Sequence, residues 1–429
     1  MAPPVSPSRR SLLGPFRHRP YTVFWSGGLV SNIGSWLQAI ASSVFVYQLT
    51  ASVVAVGILN AVGFLPILLF SVTGGSLADR FDRRAVVAIA SLLSLVAAWL
   101  LAALTFAGLA SEVVVIAVFF LLNALFALSK PANVSLVPAL VPREDIAEAV
   151  SWNSLSYILG QIGGPILATV ILVTAGVGWA FAVNGVTFLA LIASVAYLRH
   201  RGIGGREAAR READGSTRPV ESAIAYSRAH PWVPALLLAI IACTVPFEII
   251  RTLSPALAAE ALGETEEAAG IIVAAHSLGA SLGLSIVVPA LRRRGWARRM
   301  GFAAMVLQAL GLTAAAVAPS FVTACLAIGM VGVGFSLGFP VLTGILQEEV
   351  ADRVRGRILA LHQMAHLGNR PFAAIGVGLL AALIGPQPAL LGGVVLIPLG
   401  IVVLRRAWQW LDADPERESA QAVPVSPPA

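Results

Sequence analysis

Five residues able to carry charge stand in stretches that are otherwise greasy. Glu248 and Arg251 lie three apart within residues 232–257, and His362, His366 and Arg370 lie within 358–382. A carboxylate three residues from a guanidinium shares its helix face. Such groups can hold one another as an ion pair, pass a proton, or offer a cation to an anionic ligand. His362 and His366 also stand at the i, i+4 spacing of metal ligands. No Asp, Glu or Cys accompanies them on that face, so neither a metal centre nor any other cofactor is expected. His276 has the surroundings of a hydrogen-bonded packing residue.

The elements that carry these residues are long apolar runs. They fall near 22–48, 53–78, 85–108, 113–131, 149–173, 179–198, 232–257, 268–291, 300–317, 321–347, 358–382 and 387–404. An apolar layer ~30 Å thick needs ~20 helical residues to cross it. Composition agrees: 57% of the 429 residues are hydrophobic and 12% charged, where a soluble domain carries about a quarter charged residues. Mean hydropathy is +0.83. The reading is an all-α integral membrane protein with twelve transmembrane helices. Cys243 and Cys325 both sit inside runs, so a disulfide framework is not expected. The first run follows Arg9, Arg10, Arg17 and Arg19 and reads as a retained helix.

Charge sets the topology. Of the 29 lysines and arginines, all but Arg251 and Arg370 fall in alternate gaps between runs. The other gaps hold Glu112, Glu260, Glu264, Glu266 and Glu267 and no basic residue. Short arginine-rich loops stay on the cytoplasmic side, so both termini are expected there, in the cell membrane. The formal charge of +7 is spread over seven segments without interleaved aromatics. That pattern argues against nucleic acid and for membrane topology, with attraction to lipid headgroups as a secondary effect.

The longest gap, 199–231, holds six arginines from Arg199 to Arg218 and four glycines. It reads as a cytoplasmic linker between halves at 21–198 and 232–404, with tails at 1–20 and 405–429. The halves echo one another: the stretch from Val141 (VPREDIAEAV) matches that from Val350 (VADRVRGRIL) in position and charge density. Duplicated halves belong to a large class of carriers with a binding site near the bilayer midplane.

Between the second and third runs the chain reads GSLADRFDRR from Gly75 to Arg84. This resembles the signature loop of the major facilitator superfamily, G-x-L-A-D-R-x-G-R-[KR]; Gly75, Leu77, Ala78, Asp79, Arg80, Arg83 and Arg84 match, and Asp82 replaces the second glycine. SNIGSWLQ from Ser31, the segment opening run five and DRVRGR at the start of run eleven are similar to the branch containing the enterobactin exporter and macrolide efflux proteins. The resemblance covers residues 20–405 and implies the major facilitator fold, two six-helix halves working as a monomer.

It also implies site roles. Asp79 would sit near the start of run eleven, where a carboxylate can meet a positive helix end. Arg353, Arg355 and Arg357 would lie within reach of Asp79 or Asp82, forming with Gly75, Arg80, Arg83 and Arg84 a latch that opens as the carrier turns. The other reading is charge that only fixes topology. Run one carries Ser31, Ser35, Gln38 and Ser42 at i, i+4, i+7 and i+11, bordered by Asn32 and Trp36, and in this family that run lines the central cavity. Run five offers Asn153, Tyr157 and Gln161 similarly. Polar glue between helices is the competing account. GQIGGPILAT from Gly160 resembles an antiporter signature through Gly160, Gly164 and Pro165, with Ala168 and Thr169 in place of its closing glycines; it reads as close helix packing, with or without a bias to export. Run ten, with Gly329, Gly332, Gly334 and Gly338 before Phe339–Pro340, reads as a gate or as tight packing.

A charge at the bilayer centre costs ~2.5–3.5 kcal/mol, so Glu248 and Arg370 need partners. They lie ~24 and ~20 Å deep by helical rise. The resemblance makes runs seven and eleven neighbours, so Glu248 can pair with Arg370 or with Arg251. With His366 beside them these are the coupling candidates, open between a structural ion pair, a titrating proton site and an anionic-substrate contact. The only lysine, Lys130, follows Ser129, so the phosphate-binding loop of an ATPase is absent, and no catalytic cluster marks an enzyme. An ion gradient is the expected driver. The function expected is proton-linked export of an amphipathic small molecule, drug- or siderophore-like. An uptake carrier or uniporter is the rival, and a transport-dead sensor or scaffold the alternative of another kind. Run one has no acidic residue and run four no arginine, so coupling would fall on the second half.

Overall fold

In the computed structural model, described over residues 13–204, 223–351 and 354–413, the chain is helical, with no strand among the described residues. Twelve helical spans there are long and apolar enough to cross a membrane. Counting the short 3-10 and π turns that continue them, they are α1 (Arg19–Thr50), α2 (Val53–Arg80), α3 (Arg83–Phe106), α4 (Glu112–Leu140), α5 (Arg143–Ala175), α6 (Val177–His200), α7 (Trp232–Ala261), α8 (Glu266–Arg293), α9 (Ala297–Ala316), α10 (Phe321–Glu349), α11 (Arg355–Ile384) and α12 (Pro386–Asp412). Helix is the form that satisfies every backbone group within one segment, which hydrocarbon demands. Local chemistry marks the ends. Ser111 and Ser320 accept from backbone N–H groups at the starts of α4 and α10, and Gly176, at φ +87°, closes α5.

Two departures from the expected spans each involve a proline, with opposite outcomes. The run near 113–131 was expected to give way to a basic cytoplasmic gap from about Lys130 to 148, yet α4 runs through Pro131 to Leu136 and a 3-10 turn, Val137–Leu140, follows. Lys130 therefore belongs to a helix and not to a basic gap. Run eleven read as one helix, yet it breaks at Asn369 into Arg355–Gly368 and Arg370–Ile384. A proline removes one N–H and disfavours helix at the residue before it. Pro371 sits at the start of the second piece, and the Asn369 side chain donates to the Ala365 and His366 carbonyls at 2.8 and 2.7 Å, sealing the end of the first.

Contacts divide the molecule into two units, one comprising the described residues of Met1–Phe45 and Leu65–Ser216, the other those of Val46–Phe64 and Thr217–Ala429. In the first, α3 packs on α4 and α6, and Tyr21, Phe24, Val87, Leu136 and Leu198 form a buried cluster. Tyr21 Oη donates to the Ala149 carbonyl at 2.9 Å, Trp25 Nε1 donates to that of Trp152 at 2.8 Å, and His18 Nε2 lies 2.9 Å from Asp145 Oδ2. These bonds tie the start of α1 to the start of α5.

In the second unit α7 is the central helix, packed by α8, α10, α11 and α12 and buried on nearly every side from Trp232 to Ala256. Between α8 and α10 the backbones nearly touch. A Cβ on Gly279 would lie 1.9 Å from the Gly329 carbonyl oxygen, and one on Gly332 would lie 2.0 Å from that of His276. In lipid, where burial of apolar surface does not draw helices together, such small-residue seams supply the contact.

Candidate functional site

Glu248 and Arg251 lie one turn apart on α7, 0% and 4% exposed. The guanidinium donates to both carboxylate oxygens, Nη2 to Oε1 and Nε to Oε2, the latter at 3.4 Å. Pro246, two residues before Glu248, lies within the helix and leaves it one backbone N–H short. Charge-assisted pairing of this kind is what allows two ions to remain where water is excluded.

Around the pair runs a continuous set of rings. Arg251 Cζ stands 5.2 Å from the centre of the Phe64 ring, and Arg370 Cζ stands 4.9 Å from the same ring and 6.0 Å from that of Phe247. Guanidinium groups over phenyl faces are attracted by the ring quadrupole. Arg370 Nη2 lies 3.2 Å from His366 Nε2. A guanidinium only donates, so that imidazole nitrogen accepts. His366 packs on Phe339 at 4.4 Å, Phe339 stacks on Phe335 at 5.4 Å, Phe335 meets His276 at 5.6 Å, and His276 meets Phe247 at 4.6 Å. His362 stacks on Phe339 at 5.9 Å, with its Nε2 3.2 Å from Thr343 Oγ1. His276 was expected to be hydrogen-bonded, but neither of its nitrogens has a protein partner, and it is held by ring faces instead. Among the described residues no group of three or more His, Cys, Asp or Glu could hold a metal ion.

In the first unit the polar residues of α1 divide between two neighbours. Asn32 Nδ2 donates to Ser156 Oγ on α5 at 3.1 Å, and Trp36 meets the Tyr157 ring edge-on at 5.8 Å. Gln38 instead faces α6: Asn184 Nδ2 donates to its Oε1 at 3.1 Å, with Gln38 2% and Asn184 1% exposed. Gln38 Nε2 also donates to Ser42 Oγ at 3.4 Å, and Ser35 Oγ bonds back to the Ser31 carbonyl at 2.9 Å. Asn153 offers its carbonyl to Ser156, and Gln161 is half-buried on the same helix. Lys130 Nζ stands 5.3 Å and 5.7 Å from the Phe126 and Tyr157 rings. The glycines of α5 permit the approach of α1, since a Cβ on Gly160 would lie 2.9 Å from Asn32 and one on Gly164 2.4 Å from Trp36 Cβ. Pro165 is buried beside them.

The loop between α2 and α3 is built on Asp82. Its Oδ1 accepts from Arg84 N at 2.9 Å as the N-cap of α3, and its Oδ2 lies 2.6 Å from Arg84 Nη2. That hydrogen-bonded guanidinium holds the Asp82 carboxyl below the usual carboxylate range. Arg84 Nη1 also reaches the Ile203 carbonyl at 3.2 Å, and buried Arg83 donates to that of Ser135 at 3.1 Å. Asp79 and Arg80 are exposed at the end of α2, and a Cβ on Gly75 would meet nothing within 4 Å. At the start of α11, Arg355 Nη2 donates to the Val350 carbonyl at 3.2 Å and Arg357 is exposed. Arg353 lies outside the described residues.

A signature loop capped by its own aspartate, twelve spans and an ion pair inside one of them describe a membrane carrier, and residues 10–425 match the family described as transmembrane secretion effector. The chain belongs to that family. Transmembrane secretion effectors are major facilitator transporters, and this one is a multi-pass membrane protein of that kind.

Its relatives are carriers too. It is 24% identical to macrolide efflux protein A of Streptococcus pyogenes over 389 residues, 89% of this chain and 94% of the relative. The multidrug efflux pump Tap of Mycolicibacterium fortuitum is 24% identical over 381 residues, 85% of this chain and 88% of Tap. The staphyloferrin A transporter of Staphylococcus aureus is 29% identical over 150 residues, 35% of this chain and only 38% of that transporter's length. The fold of this secretion effector is shared with a D-xylose-proton symporter at TM-score 0.68 and 16% identity, covering 93% and 98% of the two chains. It is shared also with a bacterial homologue of the iron transporter ferroportin, at 0.67 and 16%, covering 92% and 98%.

Sequence reasoning had singled out Glu248, Arg251, His366 and Arg370, and the structure brings them into one ring-lined cluster. It had missed Phe64, Phe247, Phe335 and Phe339, because aromatics in an apolar run look alike until the helix faces are known. It had also missed Asn184, the buried partner of Gln38, and Asn369. The Asn369-Arg370-Pro371 tripeptide was the available signal for the break in this secretion effector's α11.

Proposed function

We propose that the protein is a secondary active transporter that exports an amphipathic small molecule by alternating access, driven by the proton gradient. One observation carries this reading: Glu248 is a titratable carboxylate sealed inside a span and held by Arg251 alone of its own helix. Protonation there would release the guanidinium, and a proton crossing the membrane delivers ~2.3 kcal/mol per 100 mV. The efflux activity named for two nearly full-length relatives supports the outward direction. The halves at 21–198 and 232–404 would move as units, with the loop of Gly75, Asp79, Arg80, Asp82, Arg83 and Arg84 and the basic start of α11 as the latch, and Ser31, Asn32, Ser35, Trp36, Asn153, Tyr157 and Gln161 facing the substrate. Both termini would lie in the cytoplasm of a cell-membrane protein working as a monomer.

The test is transport by the full chain in proteoliposomes with an imposed pH gradient, using ethidium and a macrolide as probes. Expected is gradient-dependent movement in the outward sense that Glu248→Asp retains in part and Glu248→Gln loses. Equal loss in both variants argues against a proton role, and normal transport by a well-folded Glu248→Ala protein ends it. Accumulation in the inward sense would make the chain an uptake carrier. Orientation is read by thiol labelling: cysteines placed at 203 and 50 should react from opposite aqueous sides.

A further inference from the structure

Where α9 begins and α12 ends, one arginine is satisfied and its neighbours are not. Arg298 of α9 binds Asp412 of α12 through both terminal nitrogens, at 2.8 and 2.7 Å. Its Cζ lies 5.3 Å from the centre of the Trp408 ring, and the charge of Glu349 also acts on it. Arg299, Arg405 and Arg406 are exposed, and no described residue gives their side chains an ion pair or a hydrogen bond. Arg299 instead lies over the exposed Trp296 ring, 5.7 Å from its centre. All of these residues belong to one unit.

Two contacts fix the register of α9 on α12, which run antiparallel. Arg298 stands opposite Trp408, and Gly301 stands opposite Leu404, whose Cδ2 would lie 2.8 Å from a Cβ on that glycine. Arg299 is therefore level with Arg406 across the seam. Each arginine closes a stripe of exposed residues at helical spacing. One stripe is Arg299, Ala303, Val306 and Leu310, and the other is Arg406, Val402, Leu399 and Val395. Eleven residues of rise make each ~16 Å long, about half of a ~30 Å hydrocarbon layer and so the depth of one leaflet. Exposed Trp296 and Trp410 stand about one turn past the arginines, at the level where indole rings sit among lipid headgroups.

We propose that the α9–α12 seam binds an anionic phospholipid of the surrounding membrane, its phosphate held between Arg299 and Arg406 and its acyl chains along the two stripes. A guanidinium fork matches phosphate oxygens bidentately, where an ammonium offers only a point charge. Arg405 adds a further cation, so a headgroup of net negative charge is favoured over a zwitterionic one, whose own ammonium offsets its phosphate. The site depends on neither the direction of transport nor its coupling ion.

The test is native mass spectrometry of the full-length protein in detergent, titrated with dioleoylphosphatidylglycerol or dioleoylphosphatidylcholine. Expected is one saturable phosphatidylglycerol, bound about tenfold more tightly than phosphatidylcholine. Arg299→Gln with Arg406→Gln should erase that ratio. Arg299→Lys with Arg406→Lys should keep only a few-fold preference, and because it retains the charge that sets topology, a poorly folding glutamine pair does not block the test. Arg293→Gln with Arg294→Gln removes as much charge from the end of α8 and should leave the ratio within about twofold. Equal binding of the two lipids, a ratio unchanged in the Arg299 and Arg406 variants, or equal loss in the Arg293 and Arg294 pair overturns the proposal. Two other occupants would also overturn it. Free glycerol 1-phosphate displacing the lipid at equal concentration would make this a small-anion site. A tenfold gain in phosphatidylglycerol binding on Asp414→Asn, Glu416→Gln and Glu418→Gln together would make the acidic tail of the chain the occupant.

Discussion

Gly164 of α5 meets Trp36 of α1 with no room for a methyl group: a Cβ there would lie 2.4 Å from Trp36 Cβ and 2.7 Å from the Ile33 carbonyl oxygen. One residue earlier, Gly163 would place its Cβ 3.7 Å from the nearest Ile33 atom, an ordinary contact. Gly164→Ala should therefore force α1 and α5 apart and cost ~1–3 kcal/mol, as overpacking does. Gly163→Ala should leave stability within ~0.5 kcal/mol. Thermal unfolding in detergent compares the two, and equal melting temperatures would remove close packing as the reason for the glycine.

The Glu248–Arg251 pair predicts an asymmetric set of mutants. Glu248→Ala or Arg251→Ala alone leaves one buried ion uncompensated, at a cost of ~3–5 kcal/mol. The double variant Glu248→Gln with Arg251→Met removes both charges and should recover most of that loss. A double variant no more stable than either single one would show that these side chains do not act as a pair.

For Gln38, burial against Asn184 makes a structural contribution the stronger expectation. Gln38→Leu should lower stability by ~0.6–1.7 kcal/mol, the range of hydrogen bonds between membrane helices. The KM of a transported probe should not change. A raised KM at unchanged stability would return Gln38 to the substrate-facing set.

Asp82 connects the signature loop to pH. Its carboxyl is held low by Arg84, so its stabilising effect is complete above the unfolded-state pKa of ~3.9. That effect is lost as pH falls through the lower folded-state value. Melting temperatures of wild type and Asp82→Ala should therefore differ by a constant amount from pH 8 to pH 5 and converge only in stronger acid. The cap itself should contribute ~0.5–2 kcal/mol relative to Ala, while Asp82→Gly should lose less because glycine caps nearly as well. A gap that closes between pH 7 and pH 5 would contradict the Arg84 contact.

Hydropathy was enough to locate all twelve spans, because an apolar run of the required length has few other uses. That Glu248 needs a cationic partner was likewise readable, but whether Arg251 or Arg370 supplies it was not, and the structure gives Arg251. Other features depend on direction, which a linear pattern carries poorly. Ser31, Gln38 and Ser42 fall on one stripe in projection, yet Asn32 turns to α5 while Gln38 turns to α6. The Phe335–Phe339–His366 face needed α10 and α11 to be placed together before it could be seen. Pro131 and Pro371 show the same limit from the backbone side: one is absorbed by a continuing helix and the other marks a break, and neighbouring side chains decide which.

The Asn369 side-chain amide donates to the Ala365 and His366 carbonyls, beside the bond its own backbone N–H makes to Ala365. Because those bonds come from the chain itself, the turn shows no raw peptide to lipid, where an unmet backbone group would be costly. Arg370, the first residue past it, is thereby carried at bilayer depth on backbone whose polar groups are met from within.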